Sequence, residues 1–193
     1  MYGNSYFTGS IILPLMPDFL RKNNRLSLSN YVGTRSYLVT LCILKRRRLF
    51  VSAIVVQPLI ALLGELAQLH SFDVYAYCFM PDHCHFLLCG RESSSDLPRF
   101  IRSFKGRACV HLRRFACHNI WQTAYHDHVI RNDDDLQNSA SYILDNPVRA
   151  GLAKDPHGYP YSGSLVFAWQ HPKNPLVADA LRVHLGFSAR PPR

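Results

Sequence analysis

Two apolar runs, Phe72–Phe79 and His83–Cys89, flank the tripeptide Met80-Pro81-Asp82, and no other feature restricts the fold of this chain as tightly. Short apolar runs bounded by a turn read as paired strands, so this segment predicts a β-hairpin. Upstream, Tyr37–Leu44 is an unbroken apolar and β-branched run, the pattern of a buried strand, and it ends in Lys45, Arg46, Arg47 and Arg48, read as a solvated basic turn. From Ser52 to His70 leucine and alanine recur at helical spacing, with Ser52 available as a cap and Pro58 opening the second half or kinking it. The clearest helix follows a polar loop. At about 100° per residue, Leu97, Phe100, Ile101, Phe104, Ala108, Leu112 and Phe115 fall on one side, while Arg99, Arg102, Arg107, Arg113 and Arg114 fall on the other. Trp121–Arg131 reads as extended. Asp133-Asp134-Asp135 then forms a negatively charged helix start, the helix running to about Asn146, where Pro147 ends or kinks it and Gly151 stops any continuation. The order strand, helix, hairpin, helix, strand, helix predicts an α+β fold, a split βαβ sandwich with its helices mainly on one sheet face.

The size and composition suit one compact domain. The chain has 193 residues, 48% of them hydrophobic, which excludes disorder over most of its length. Lys and Arg total 22 and Asp and Glu 13, a net charge of +9 with histidine neutral, so a polyanionic partner is expected. Charge alone admits DNA, RNA or an acidic membrane surface. Residues 1–30 read as an irregular arm, and the Pro-, Gly- and His-rich stretch beyond Gly151 as a loosely packed tail. The six cysteines, Cys42, Cys78, Cys84, Cys89, Cys109 and Cys117, sit mostly in apolar runs and read as reduced core thiols. There is no charged leader ahead of an apolar segment. Ala53–Leu63, broken by Gln57 and Pro58, is too short to span a bilayer, so a cytoplasmic protein without a membrane partner is expected.

Three constellations compete for chemistry. On a strand His83 and His85 point to one face and Cys84 to the other, which makes the two imidazoles a ready pair for a divalent metal, or an ordinary packed pair. Tyr142 and Asn146, four apart on the last helix, share a face, and Tyr142 lies off the apolar stripe of Leu136, Ala140 and Ile143. A phenol there can serve as a nucleophile or simply pack. His126-Asp127-His128 is a second pair on one strand face, a rival metal site or part of the lining of the first. A structural zinc site drawn from Cys78, His83, Cys84, His85 and Cys89 is weighed against these, but there is no Cys-x-x-Cys and Cys84 points away from its flanking histidines.

Several strings, taken in order, resemble one family. They are Tyr77-Cys78-Phe79-Met80-Pro81-Asp82-His83-Cys84-His85-Phe86-Leu87-Leu88, Phe104-Lys105-Gly106, Trp121-Gln122, His126-Asp127-His128-Val129-Ile130-Arg131 and Tyr142-Ile143-Leu144-Asp145-Asn146-Pro147-Val148-Arg149-Ala150-Gly151-Leu152. The set is similar to the REP-associated tyrosine transposases, relatives of the single-tyrosine HUH transposases of IS200-like insertion sequences. The resemblance runs from about Tyr31 to Ser164 and implies a catalytic domain over 31–164, with the tail at 165–193. It implies a ferredoxin-like fold with a central antiparallel sheet, of HUH endonuclease type.

By position, the resemblance makes His83 and His85 metal ligands, Asn146 a polar third ligand and Tyr142 the nucleophile. His128 matches a recurring position and is a candidate for lining the active site. Cys84 stands where the family has a hydrophobic residue. The implied activity is a Mg²⁺- or Mn²⁺-dependent endonuclease and strand transferase acting on single-stranded or hairpin DNA, such as REP elements, through a 5′-phosphotyrosine, by a monomer or a homodimer. On that reading Arg99, Arg102, Arg107, Arg113 and Arg114, with Lys105 on the flank, hold DNA phosphates. The alternative is a non-catalytic nucleic-acid-binding protein on the same fold.

Overall fold

The computed structural model describes residues 28–115 and 119–167. The strands are β1 (Ser36–Cys42), β2 (Phe72–Met80), β3 (His83–Gly90), β4 (His126–Ile130) and β5 (Ser162–Gly163), and the helices are α1 (Ala53–Leu69), α2 (Leu97–Leu112) and α3 (Asp133–Arg149). They form one antiparallel sheet in the order β4-β1-β3-β2-β5. The first four strands with α1 and α2 make the ferredoxin-like split βαβ expected from the sequence, and β5 extends it at the β2 edge.

The sheet separates two cores, as the period of two requires. Tyr37, Val39, Leu41, Phe79, Phe86 and Leu88 face α1 and α2, while Leu38, Cys78 and Leu87 face α3. The third helix therefore covers the opposite side of the sheet, where the sequence reading had the helices mainly on one face. α1 buries Val55, Val56, Leu59, Leu62, Leu63 and Leu66 at helical spacing. Ser52 stands at its N-cap without a side-chain cap bond, its carbonyl accepting from the amides of Val55 and Val56. Asp96 caps α2 by accepting from the Arg99 amide, and Asn132 caps α3 by accepting from the Asp135 amide.

α3 passes through Pro147 and ends three residues later than the sequence predicts at its earliest. It is closed by Gly151 at φ +68°, with the Gly151 amide bonded to the Val148 carbonyl and the Leu152 amide to that of Pro147. This is the left-handed C-terminal cap that glycine adopts most readily. Phe115 leaves the apolar stripe of α2 because the chain tightens to a 3₁₀ turn at Arg113–Phe115, and its ring is 38% exposed. Of the stretch read as extended, only His126–Ile130 is strand. Trp121 instead bridges Ile43 and packs beside Phe50 and Phe104.

The segment after Gly151 is better packed than its composition suggests. Tyr159 is buried and donates its hydroxyl to the Phe79 carbonyl at 2.8 Å, and Ser162–Gly163 pairs with β2. Cys42, Cys78, Cys84, Cys89 and Cys109 are free thiols, and Cys117 lies outside the described residues. The expected arm and tail lie almost wholly outside them too. Among the described residues no helix is long and apolar enough to cross a membrane.

Gly90, at the end of β3, has no room for a side chain. A Cβ there would lie 2.1 Å from the Gly33 carbonyl oxygen and 2.9 Å from the Ser95 Cβ. Gly90→Ala is expected to lower the unfolding free energy by about 1–3 kcal/mol, read as a fall in the urea midpoint; an unchanged midpoint would contradict the close approach.

Candidate active site

The site lies on the α3 face of the sheet, at the end where β3 begins. Register brings its parts together. Cys42 of β1 and Met80 of β2 flank His83, and Thr40 and Cys78 flank His85. His83 and His85 share this face, with ring centroids 4.7 Å apart, while Cys84 belongs to the opposite core.

Each imidazole is gripped by its Nδ1. His83 donates Nδ1–H to Asp82 Oδ1 at 2.5 Å, since a carboxylate can only accept. Asp82 Oδ2 accepts in turn from Arg46 Nη1 at 3.3 Å. Burial works to raise the Asp82 carboxyl, but the bond and charge of His83 and then the Arg46 guanidinium outweigh it and hold the group below its ordinary value. His85 Nδ1 lies 2.8 Å from Thr40 Oγ1. Burial, followed by His83, Arg46 and Arg149, holds this imidazole well below its usual pKa, so it is neutral. Its Nε2 is buried with no hydrogen-bond partner among the described residues. An imidazole that donates Nδ1–H to Thr40 presents an Nε2 lone pair instead, the form that binds a metal.

Tyr142 of α3 sits beside His85, ring centroids 5.9 Å apart. It is 7% exposed and part of the second core, although the sequence reading put it off the apolar stripe. α3 buries a wider arc than that stripe, Ser139, Leu144 and Asn146 included. Burial raises the Tyr142 phenol, while Arg149, two turns on, hydrogen-bonds it and opposes the rise; the Arg149 guanidinium carbon stands 4.5 Å over the ring. Asn146 is buried and donates Nδ2–H to the Tyr142 carbonyl at 2.8 Å, which leaves its Oδ1 as a further donor of electrons.

The other candidates lie elsewhere. His126, exposed, is cross-strand from Thr40 and so shares the row of His85, two strands away; at the usual strand spacing that is roughly 10 Å. His128 pairs with Leu38 in a different row, with burial lowering its pKa and Asp135 of α3 opposing that. Arg99, Arg102, Arg107, Arg113 and Arg114 belong to α2 or the turn after it, on the far side of the sheet from His83, His85 and Tyr142. Arg107 pairs with Glu65 of α1 at 2.8 Å. Lys105 donates to the carbonyls of Gln122 and Thr123 at 2.6 and 3.1 Å, tying α2 to the loop before β4. Among the described residues no group of three or more His, Cys, Asp and Glu side chains is arranged around a common metal position, which leaves the zinc reading without a site.

Sequence reasoning missed Thr40, Asp82, Arg46 and Arg149. Thr40 is the one hydroxyl in the Leu38–Leu44 run, and Arg149 is seven residues from Tyr142 on a helix; both are signals the sequence carries. The basic turn is unusual as well. Lys45 and Arg46 both have left-handed φ, +58° and +53°, at a cost of about 1–3 kcal/mol each.

A ferredoxin-like sheet whose central strand presents two imidazoles toward a helix-borne tyrosine defines a protein of the HUH type. The model of the family described as "Transposase IS200 like" matches residues 32–146, more than half of the sequence, and the chain belongs to that family. It is 32% identical over 93 residues to the REP-associated tyrosine transposase of Escherichia coli K12, which covers 47% of this chain and 53% of that protein. It is 28% identical over 113 residues to a Haemophilus influenzae protein provisionally given the same name, covering 51% of this chain and 62% of that one. The matches thus span little more than half the length of these relatives. The solved structure of a REP-associated tyrosine transposase bound to a REP hairpin superposes with a TM-score of 0.61 at 24% identity, covering 73% of this chain and 81% of that one; it shares the fold.

Thr40→Val keeps the shape of the side chain and removes the partner of His85 Nδ1. The variant is expected to lose about 1–3 kcal/mol of stability, measured by urea unfolding; wild-type stability would show that the bond contributes nothing to the fold.

Proposed function

We propose that this protein is a metal-dependent endonuclease and strand transferase for single-stranded DNA with hairpins of the REP kind, using Tyr142 as nucleophile and a 5′-phosphotyrosine intermediate. The observation that carries the reading is the buried, unpartnered Nε2 of His85 next to the Tyr142 ring. A buried polar atom without a partner is costly, and a metal at that position satisfies it.

The residues present fit a divalent ion. His83 and His85, each held by its Nδ1, would supply two imidazole nitrogens and Asn146 an amide oxygen. Mg²⁺ and Mn²⁺ are the candidates, and two nitrogen ligands suit Mn²⁺ better. Such an ion, when bound, draws electron density from the scissile phosphate.

The chain's own groups do the rest. The Tyr142 oxygen bonds to phosphorus as its proton passes to solvent, the P–O3′ bond breaks, and the departing 3′ oxygen takes up a proton. Attack by a 3′-hydroxyl on the phosphotyrosine reverses these changes and joins strands without a high-energy cofactor. Burial disfavours the phenolate, and the Arg149 guanidinium over the ring offsets part of that penalty. The relatives named as REP-associated tyrosine transposases support the choice of DNA.

The test is a denaturing gel of end-labelled hairpin DNA with a single-stranded flank, incubated with Mn²⁺ or Mg²⁺. Wild type is expected to form a covalent adduct only with metal, and Tyr142→Phe to bind the DNA without forming one. An adduct with Tyr142→Phe overturns the assignment of the nucleophile. Binding by wild type with no adduct under either metal favours the non-catalytic reading.

A further inference from the structure

The arginine face of α2 is the obvious phosphate-binding surface in the sequence, but the sheet stands between it and the histidine pair. DNA seated on α2 would have to pass around a sheet edge to reach Tyr142. A second basic element is already at the site. We propose that the turn Lys45–Arg48, acting through Arg46 and Arg48, is the surface that holds DNA phosphates against His83, His85 and Tyr142. The proposal rests on the DNA reading above and adds to it where the backbone of the strand is gripped.

Placement carries the argument. The turn leaves β1 at the end where β3 starts, and main-chain bonds lock it to the turn bearing the first histidine. The Ile43 amide donates to the Asp82 carbonyl at 2.9 Å and the Phe50 amide to the Pro81 carbonyl at 3.0 Å. Arg46 reaches the site itself, bonding Asp82, the residue that holds His83, and adding its charge to the field at His85. Arg48, exposed on the turn, acts on the Tyr159 phenol in the core beneath the same face of the sheet.

Within the run the work is divided. Arg47 is tied to the chain, donating Nε–H to the Leu44 carbonyl at 3.4 Å and Nη2–H to that of Asn119 at 2.9 Å. With the bond from the Leu44 amide to the Ile120 carbonyl, it pins the left-handed residues Lys45 and Arg46 in place. That conformation turns the chain so that Arg46 meets Asp82 at 3.3 Å, a long, half-exposed ion pair. Arg46 pairs with this carboxylate, and four consecutive cations against it leave the turn a strip of positive charge beside the site. A polyphosphate backbone is the partner that such a strip fits.

Fluorescence anisotropy of a labelled single-stranded oligonucleotide and of a hairpin, titrated at several salt concentrations, tests the proposal. Arg46→Ala with Arg48→Ala is compared with wild type and with Arg102→Ala, Arg113→Ala and Arg114→Ala on the far face. The turn variant is expected to bind single strands roughly tenfold more weakly and to lower the log–log salt slope by about 1.4, near 0.7 for each phosphate that is no longer neutralised. The far-face variant is expected to change the slope less. Arg46→Lys, which keeps the charge, should restore most of the slope. Arg48→Ala alone, altering one side chain at the surface of the turn, carries the test if loss of Arg46 prevents folding. Wild-type binding with an unchanged slope in the turn variants overturns the proposal alone. Failure of wild type to bind either DNA overturns the DNA reading and the proposal with it.

Discussion

Everything at the site hangs on two hydrogen bonds to imidazole Nδ1 atoms, Thr40 to His85 and Asp82 to His83. Each fixes a ring against a rigid element, one to the neighbouring strand and the other to the hairpin turn. The consequence is chemical as well as geometric. A neutral ring held through a donated Nδ1–H has a bare Nε2 on its other side. Burial keeps His85 neutral and therefore able to act as a ligand. The same burial makes the unpartnered Nε2 expensive, a cost that the proposed metal would relieve.

The two-sided sheet lets these demands coexist with stability. α1 and α2 seal an aromatic core around Phe50, Phe79, Phe86, Phe100 and Phe104 on one face, and this side contains none of the proposed site residues. The other face carries the smaller core under α3, into which Tyr142 and Asn146 are set. Alternation along β3 assigns neighbours to opposite duties, with His83 and His85 on the site face and Cys84 and Phe86 in the large core. Tyr142 is held down by packing and by Arg149, so the chemistry proposed for it depends on α3 keeping its register through Pro147 to the Gly151 cap.

The strands, the hairpin and the three helices were legible because their apolar periods are strong and their ends carry turn residues. The histidine pair was legible for the same reason, since a spacing of two on a strand fixes a shared face. Thr40 was not, because its value lies in being opposite His85, and register between β1 and β3 cannot be read from one sequence. Asp82 sat in plain view as a turn residue, but its bond to His83 depends on the side chain folding back along the strand. The side of the sheet taken by α3 was hidden too, and with it the wide separation between the α2 arginines and the histidines. Helical spacing shows which side chains share a face of α2, not which face of the sheet α2 covers. The packed stretch from Tyr159 to Gly163 escaped notice because a two-residue edge strand leaves no period.

Nitrogen-15 chemical shifts of the imidazoles in the metal-free protein test the central claim most directly, because they report which ring nitrogen carries the proton. The account predicts a protonated Nδ1 and a bare Nε2 for His85 at neutral pH. A proton on Nε2 of His85 would contradict it, for that ring would then be facing the site as a hydrogen-bond donor and could not serve as a ligand without first losing it.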